Sequence, residues 1–310
     1  MKTMLDIDFH AADLPGGADA ILGPSGCAKD VVKIQDYTVN DVRSILVKIT
    51  LDETDPRVAK VLALLNDYGK QRWVDRWDVY TEDELQRAPL LRVALWWDPS
   101  VLAVTTYDES NACPRCKTGT RQTSALHTAY SEIKGVEKLR VAKTTERDVL
   151  VYDVDVERLL AAGVTGALFW PVYATNKAGN DEETRRQQAF IEHVMPPMSA
   201  KSLLDRSQVC PDCGRGWFTY IMNHPFRVVY RREDLTNIPD FNLSWEWFGE
   251  HRPVNEHGLG GGAHSPIVLV TPKVMNLLRG KTKKEQKYQG CGFAPIWIED
   301  DTHDKPYLMT

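Results

Sequence analysis

Cys113-Pro114-Arg115-Cys116 and Cys210-Pro211-Asp212-Cys213 share one grammar, and the architecture of the chain turns on reading them together. Two C-P-x-C pairs supply the four thiolates of a tetrahedral zinc site. In each pair the proline fixes a backbone angle, so that the following amides can point back at the first sulfur and spread its negative charge. Gly214 follows the second pair and suits the left-handed conformation that ends such a knuckle. The first pair continues with Lys117, whose charge would offset part of the excess carried by four thiolates around a divalent ion. The long stretch between the pairs must leave the site and return to it. Its closure entropy grows slowly with length, whereas structural zinc contributes roughly 10–16 kcal/mol in small peptides. A closed four-sulfur site leaves no position for substrate, so the pairs predict a structural clasp.

Three other readings compete. A redox dithiol favours a single pair at the start of a helix that follows a strand, and neither pair is so placed. Disulfides call for an oxidising compartment, and no apolar secretory segment opens the chain. Separate metals, or none, form the third alternative. Cys27 and Cys291 have no partner at metal spacing and read as small buried apolar residues.

The chain has 310 residues, 43% hydrophobic and 26% charged, long enough for two cores or one large one. A formal net charge of −5 and a pI near 5.9 predict a mildly acidic surface that works against attraction to phosphate backbones, so nucleic acid is not the expected partner. Nothing approaches an apolar run of about 18 residues, and the opening MKTMLDIDFHAADLPGG is too acidic for a signal peptide. The expected location is the cytoplasm, with no membrane.

Working outward from the pairs, VLAVTTY precedes the first and RQTSALHTAY follows it, which reads as strand, knuckle, strand; the second leads into GWFTYIM. Between them lie a strand candidate at Asp148 to Val154, a helix near Val156 to Ala162 and a strand at Ala167 to Tyr173. The polar stretch NKAGNDEETRRQQ reads as a solvated loop or an exposed helix start, and Pro196-Pro197 breaks what precedes the second knuckle. Upstream, Ser44 to Leu51 is the first clear strand. Asp55 and Pro56 then open a helix carrying Val58, Val61, Leu62, Leu65 and Tyr68 before Gly69 stops it. Trp73 to Tyr80 and Leu90 to Trp97 read as strands, with a short helix begun by Thr81 and Glu84 between them. Downstream, FRVVYRRE, FNLSWEWF, SPIVLV and FAPIWIE read as strands, Trp245 and Trp247 share a face, and Thr271-Pro272 opens a helix through Leu278. The sum is an α+β protein, with mixed sheets, flanking helices and a zinc-ribbon-like four-cysteine clasp. Its expected segments are an N-terminal α/β unit over 1–108, a clasped unit over 109–224 and a strand-helix-strand unit over 225–310.

Other constellations carry less chemistry. Gly258, Gly260, Gly261 and Gly262 precede a strand and lack the Lys-Ser/Thr ending of a phosphate loop, so they read as a mobile connection. His251, His257 and His264 bracket that run beside Glu250 and Glu256. If the His251–His264 loop folded back on itself, a second metal or an acid/base pair could form there, which is the metal-dependent enzyme alternative; without H-E-x-x-H spacing, surface histidines are preferred. No H-x-E triplet supports a zinc deaminase, and Gly23-Pro24-Ser25-Gly26 is only a turn-like echo of a hydrolase elbow. His193 reads as structural. Trp96, Trp97, Trp170, Trp217, Trp245, Trp247 and Trp297 read mainly as core, with any exposed ones serving as anchors for a protein partner. Arg279 to Lys287 reads as a solvated helix end.

The motifs CPRCKTG and CPDCGRG, with the ending SWEWFGE, SPIVLVTPKVMNLL and GCGFAPIWIE, resemble the bacterial double-CxxCG motif proteins, many of which look like immunity proteins against polymorphic toxins. The resemblance covers the last third of the chain and the two knuckles. Lys117 departs from it, standing where the pattern has glycine. It implies a non-enzymatic protein, clasped by structural zinc on Cys113, Cys116, Cys210 and Cys213, that binds and neutralises a cognate toxin. A nucleic-acid-binding zinc-ribbon protein is the alternative.

Overall fold

Alternation in TMLDIDFH, with Leu5, Ile7 and Phe9 separated by Asp6 and Asp8, makes the opening of the chain a strand, Lys2–His10 (β1). The structure is a computed structural model and describes residues 1–39, 41–95, 100–221, 224–249 and 264–299. It divides into two compact units, Met1–Thr81 with Tyr220–Phe226, and Glu82–Thr219 with Arg227–Thr310.

In the first unit β1 is followed by helix Asp19–Ser25 (α1), strands Val31–Val39 (β2) and Val42–Asp52 (β3), helix Arg57–Asp67 (α2) and strand Arg72–Val79 (β4). The strands form an antiparallel sheet in the order β2-β3-β1-β4. Leu5, Ile7, Phe9, Val47, Ile49 and Leu51 point to one face and meet Ile21 and Leu22 of α1 and Val61 and Leu65 of α2 in one buried core. Cys27 is wholly buried in that core, as its sequence context predicted. Helix α2 starts where Asp55-Pro56 foretold: Asp55 Oδ1 accepts from the Arg57 N–H at 2.8 Å. The helices leave the other sheet face open. There Trp73 and Trp77, opposite Asp8 and Met4, are 51% and 44% exposed. Lys48 pairs with Asp6 at 2.8 Å, and the His10 ring meets Trp73 edge-on at 5.5 Å.

The second unit opens with helix Glu82–Arg87 (α3) and strand Leu91–Leu95 (β5); Trp96 and Trp97 lie outside the described residues. Short strands Ala103–Val104 (β6), Tyr107–Asp108 (β7), Arg121–Gln122 (β8) and Leu126–Ala129 (β9) lead to helix Tyr130–Val136 (α4). Strands Val141–Lys143 (β10) and Val149–Tyr152 (β11), helix Asp153–Ala161 (α5) and the hairpin Ala167–Thr175 (β12) with Asp181–Ile191 (β13) follow. Leu204–Asp205 (β14), Thr219–Tyr220 (β15) and Val229–Tyr230 (β16) precede the long strand Phe241–Phe248 (β17). The described chain closes with Ser265–Val270 (β18), helices Pro272–Leu278 (α6) and Lys283–Lys287 (α7), Cys291–Pro295 (β19) and Trp297–Ile298 (β20).

Two sheets organise this unit. One is mixed, in the order β10-β11-β13-β12-β9-β6, because β12 runs parallel to β9 and antiparallel to β13. The other is antiparallel, β17-β18-β5-β19, so the C-terminal strands enclose Leu91–Leu95 from far upstream. The chain is thus α+β with mixed sheets and flanking helices, and its four paired cysteines cluster.

Two expectations fail. FRVVYRRE is a strand only at Val229–Tyr230 and passes into a 3-10 turn at Arg232–Leu235, where Asp234 accepts from the Arg231 N–H at 3.2 Å. NKAGNDEETRRQQ is neither loop nor helix start beyond its first residues, because Asp181–Ile191 is a strand. Asn176 makes the turn, its Oδ1 accepting from the N–H groups of Ala178 (2.9 Å) and Asn180 (3.1 Å). The strand then buries polar residues that find distant partners. Arg186 is 1% exposed and donates to the carbonyls of Val136 (2.5 Å), Arg140 (3.3 Å) and Leu139 after α4. Trp245 and Trp247 do share a face of β17, alternating with buried Ser244, Glu246 and Phe248.

Candidate metal centre

The hairpin pairing of β7 with β8 holds the first knuckle between two strands, Tyr107 opposite Gln122 and Asp108 opposite Arg121. The second knuckle is tied to β17: Trp247 N–H donates to the Arg215 carbonyl (2.8 Å) and Phe218 N–H to the Trp247 carbonyl (3.0 Å). Each knuckle closes through the same backbone bond. Lys117 N–H donates to the Cys113 carbonyl and Gly214 N–H to the Cys210 carbonyl, both at 2.8 Å. The equivalence extends to conformation. Gly214 has φ 68° and Lys117 has φ 60°, so the lysine adopts the left-handed state that its counterpart reaches as glycine.

These turns bring together Sγ of Cys113, Cys116, Cys210 and Cys213, all within 4.8 Å of one another. Cys113 and Cys210 stand 3.9 Å apart, and Cys116 and Cys213 3.5 Å. Bonded sulfurs would lie about 2.05 Å apart, so neither cross-knuckle pair is a disulfide. A tetrahedral ion with metal–sulfur bonds of about 2.3 Å needs sulfurs about 3.8 Å apart, and the two distances bracket that value. The four residues therefore fit one shared metal ion. Cys113, Cys116 and Cys210 are buried and Cys213 is half-buried, with buried Trp217 packed against the group.

Backbone amides shape the charge of the cage. Burial opposes the Cys113 thiolate, but N–H groups of Cys116 and Arg115 aimed at its sulfur outweigh that and hold the thiol down at about 7. Burial dominates at Cys116 and pushes its thiol up to about 12, against the hydroxyl and N–H of Thr118. Arg215 N–H approaches Cys213 Sγ at 3.5 Å, the place Thr118 N–H takes toward Cys116 in the other knuckle.

Several supporting residues escaped the sequence reading. Arg115 and Asp212 occupy the same position in the two knuckles and pair across them at 3.5 Å, a relation visible in the opposite charges at the two variable sites. Thr118 Oγ1 lies 3.1 Å from Cys116 Sγ and 3.1 Å from His264 Nε2, so His264 sits behind the cage. Gly216 faces it: a Cβ there would meet Cys116 Sγ at 2.8 Å. Of the loop histidines only His264 is placed, since His251, His257, Glu250, Glu256 and the glycine run fall outside the described residues. His193 contributes its carbonyl to the Leu243 N–H at 2.8 Å. Cys291 is buried. Lys283–Lys287 forms a short helix capped by Thr282 and Glu285.

No helix among the described residues is long and apolar enough to cross a membrane. Comparison with family models, with curated proteins and with solved structures gives no match.

Proposed function

We propose that the chain is a protein-binding protein held together by a structural zinc ion on Cys113, Cys116, Cys210 and Cys213, and that it acts as an immunity protein against a cognate toxin. The observation that carries the structural part is the cage itself. Four thiols around one centre complete a tetrahedron, so no open position is left for a substrate or a water nucleophile. Soft thiolate ligands in tetrahedral array favour zinc over magnesium, calcium or manganese. The six free cysteines suit a reducing compartment, which supports the cytoplasm as the proposed location.

Binding is supported by the open sheet face of the first unit. Trp73 and Trp77 lie on one side of β4, large and rigid side chains of the kind that anchor protein interfaces. The toxin as partner comes from the resemblance of the knuckles and the C-terminal strands to the double-CxxCG motif proteins. Tagged protein captured from its native cell after nuclease treatment, then weighed by native mass spectrometry, tests both parts. A one-to-one protein complex carrying one zinc per chain is expected. Retention of nucleic acid alone, or iron with the visible absorption of a ferric tetrathiolate, would overturn the reading.

A further inference from the structure

The open face of the first sheet has a chemistry of its own. Alternation along β4 puts Trp73, Asp75 and Trp77 on that face in one exposed row. Residues on one face of a strand repeat at about 7 Å, so the carboxylate lies midway between the two indoles. Strand β4 is an edge strand, and the row therefore runs along the rim of the sheet. The register sets β1 beside it, with Asp6 opposite Asp75, Asp8 opposite Trp73 and Met4 opposite Trp77. The Trp77 indole N–H donates to Asp6, which ties that end of the row to β1.

Asp6 and Asp75 are like charges directly opposite one another in an antiparallel pair, an arrangement that costs stability until a counter-charge reaches it. Four carboxylates, Asp6, Asp8, Asp52 and Asp75, share this face with three ammonium groups, none of which pairs with Asp75. Lys48 is shared by Asp6 (2.8 Å) and Asp8 (3.8 Å), Lys2 pairs with Asp52 (3.8 Å), and Lys33 lies on β2, the opposite edge of the sheet. His10 shares Nδ1 with the Ser44 hydroxyl at 2.8 Å. The guanidinium groups of β4 belong to the helix side, where Arg76 meets Glu53 (2.7 Å) and Arg72 meets Asn66 (2.5 Å). Asp75 makes no ion pair or hydrogen bond among the described residues, so it is the surplus carboxylate of the face. Burial raises the Asp8 carboxyl above the ordinary carboxylate range, and Asp6 and Asp75 add to the rise against Lys48 and Lys33.

We propose that this row is the docking site for an arginine-bearing segment of the protein partner, with a guanidinium group paired to Asp75 and its plane laid on the ring of Trp73 or Trp77. The proposal rests on the protein-binding reading and names the chemistry of its partner. Indole faces attract cations, and a carboxylate set between two of them adds a fixed acceptor. Arginine meets both at once, because its planar fork pairs with a carboxylate through its edge and stacks on a ring through its face. An ammonium group has no such plane. In an extended segment the side chains of one face repeat at the spacing of the row, so arginines at alternate positions meet it in register. The same guanidinium supplies the counter-charge that the opposed pair of Asp6 and Asp75 calls for.

Fluorescence anisotropy with the metal-replete full chain tests the face, using a labelled heptapeptide with arginine at its second, fourth and sixth positions among threonines. The same peptide carrying citrulline is the neutral isostere, and a third carries lysine. The arginine peptide should bind at least about tenfold tighter than the citrulline peptide and about threefold tighter than the lysine peptide, with affinity falling as salt rises. Asp75→Asn and Trp73→Thr should each weaken it about threefold or more, with the chain still folded by circular dichroism. Glu157→Gln, which removes an exposed carboxylate of α5, should leave the affinity unchanged. Equal affinity for citrulline, insensitivity to Asp75→Asn, or an equal loss in Glu157→Gln would overturn the proposal. Capture from the native cell separates it from the reading on which it rests. The double variant Asp75→Asn, Trp73→Thr should lose at least about four-fifths of the captured partner. A partner retained in full overturns this docking site alone, whereas no protein captured by the wild type overturns both.

Discussion

Replacing Gly216 with alanine probes the cage by a single methyl group. Gly216 lies outside the left-handed region, so its backbone accepts alanine, and any effect comes from contact. The added Cβ would stand 2.8 Å from Cys116 Sγ and 2.7 Å from Thr118 Oγ1. Relief requires the sulfur to move by several tenths of an ångström, whereas metal–ligand distances tolerate about 0.2 Å. Overpacking of this kind costs about 1–3 kcal/mol, which at about 1.4 kcal/mol per tenfold predicts metal affinity reduced about 5- to 150-fold. Chelator competition against a coloured zinc indicator reads the change directly. Release of metal from Gly216→Ala at the wild-type chelator concentration would refute the placement of Gly216 against the cage.

Lys117→Gly and Lys117→Ala both remove the exposed pair with Glu109, but only glycine relieves φ 60°, so the glycine variant should be more stable than the alanine variant by about 1 kcal/mol in urea. Glu246 is 2% exposed, accepts from the Met198 N–H at 2.7 Å through one oxygen and leaves the other without a partner among the described residues; burial raises its pKa. An acid raised in the folded state binds its proton more tightly there than when unfolded. Its contribution to stability is therefore lost as pH climbs from the ordinary carboxylate range toward the raised value, and Glu246→Gln should flatten that slope in denaturation curves measured at successive pH. Arg186→Lys keeps the charge but loses the fork that reaches the carbonyls of Val136, Leu139 and Arg140. It should cost about 3 kcal/mol by urea unfolding, and a loss below 1 kcal/mol would deny that role.

The clasp was legible because its chemistry is local: cysteine spacing and the proline between them specify the turn before any tertiary contact is known. What supports the clasp was not. Gly216 and His264 matter through neighbours far off in the chain, and Lys117 shows the knuckle imposing a conformation that the residue itself disfavours. Strand β1 carries its alternation openly in TMLDIDFH, yet the acidic opening weighs only against a signal peptide and Ser44 to Leu51 reads as the first clear strand; Asp6 and Asp8 face the open side of the sheet, where Lys48 meets them. Strand β13 hides for the opposite reason. Its inward residues Arg186 and Gln188 are polar, and their burial is bearable only because carbonyls after α4 and the Gln122 amide receive them. Trp73 and Trp77 lie on a strand that was read correctly, but nothing in local sequence told which of its faces the helices would cover.

X-ray absorption at the zinc edge of the protein purified from its native cell tests the central claim most directly. One zinc per chain with four sulfur neighbours at about 2.3 Å is the predicted result. A shell containing nitrogen or oxygen, or protein that is folded and metal-free, would contradict a closed structural cage of Cys113, Cys116, Cys210 and Cys213.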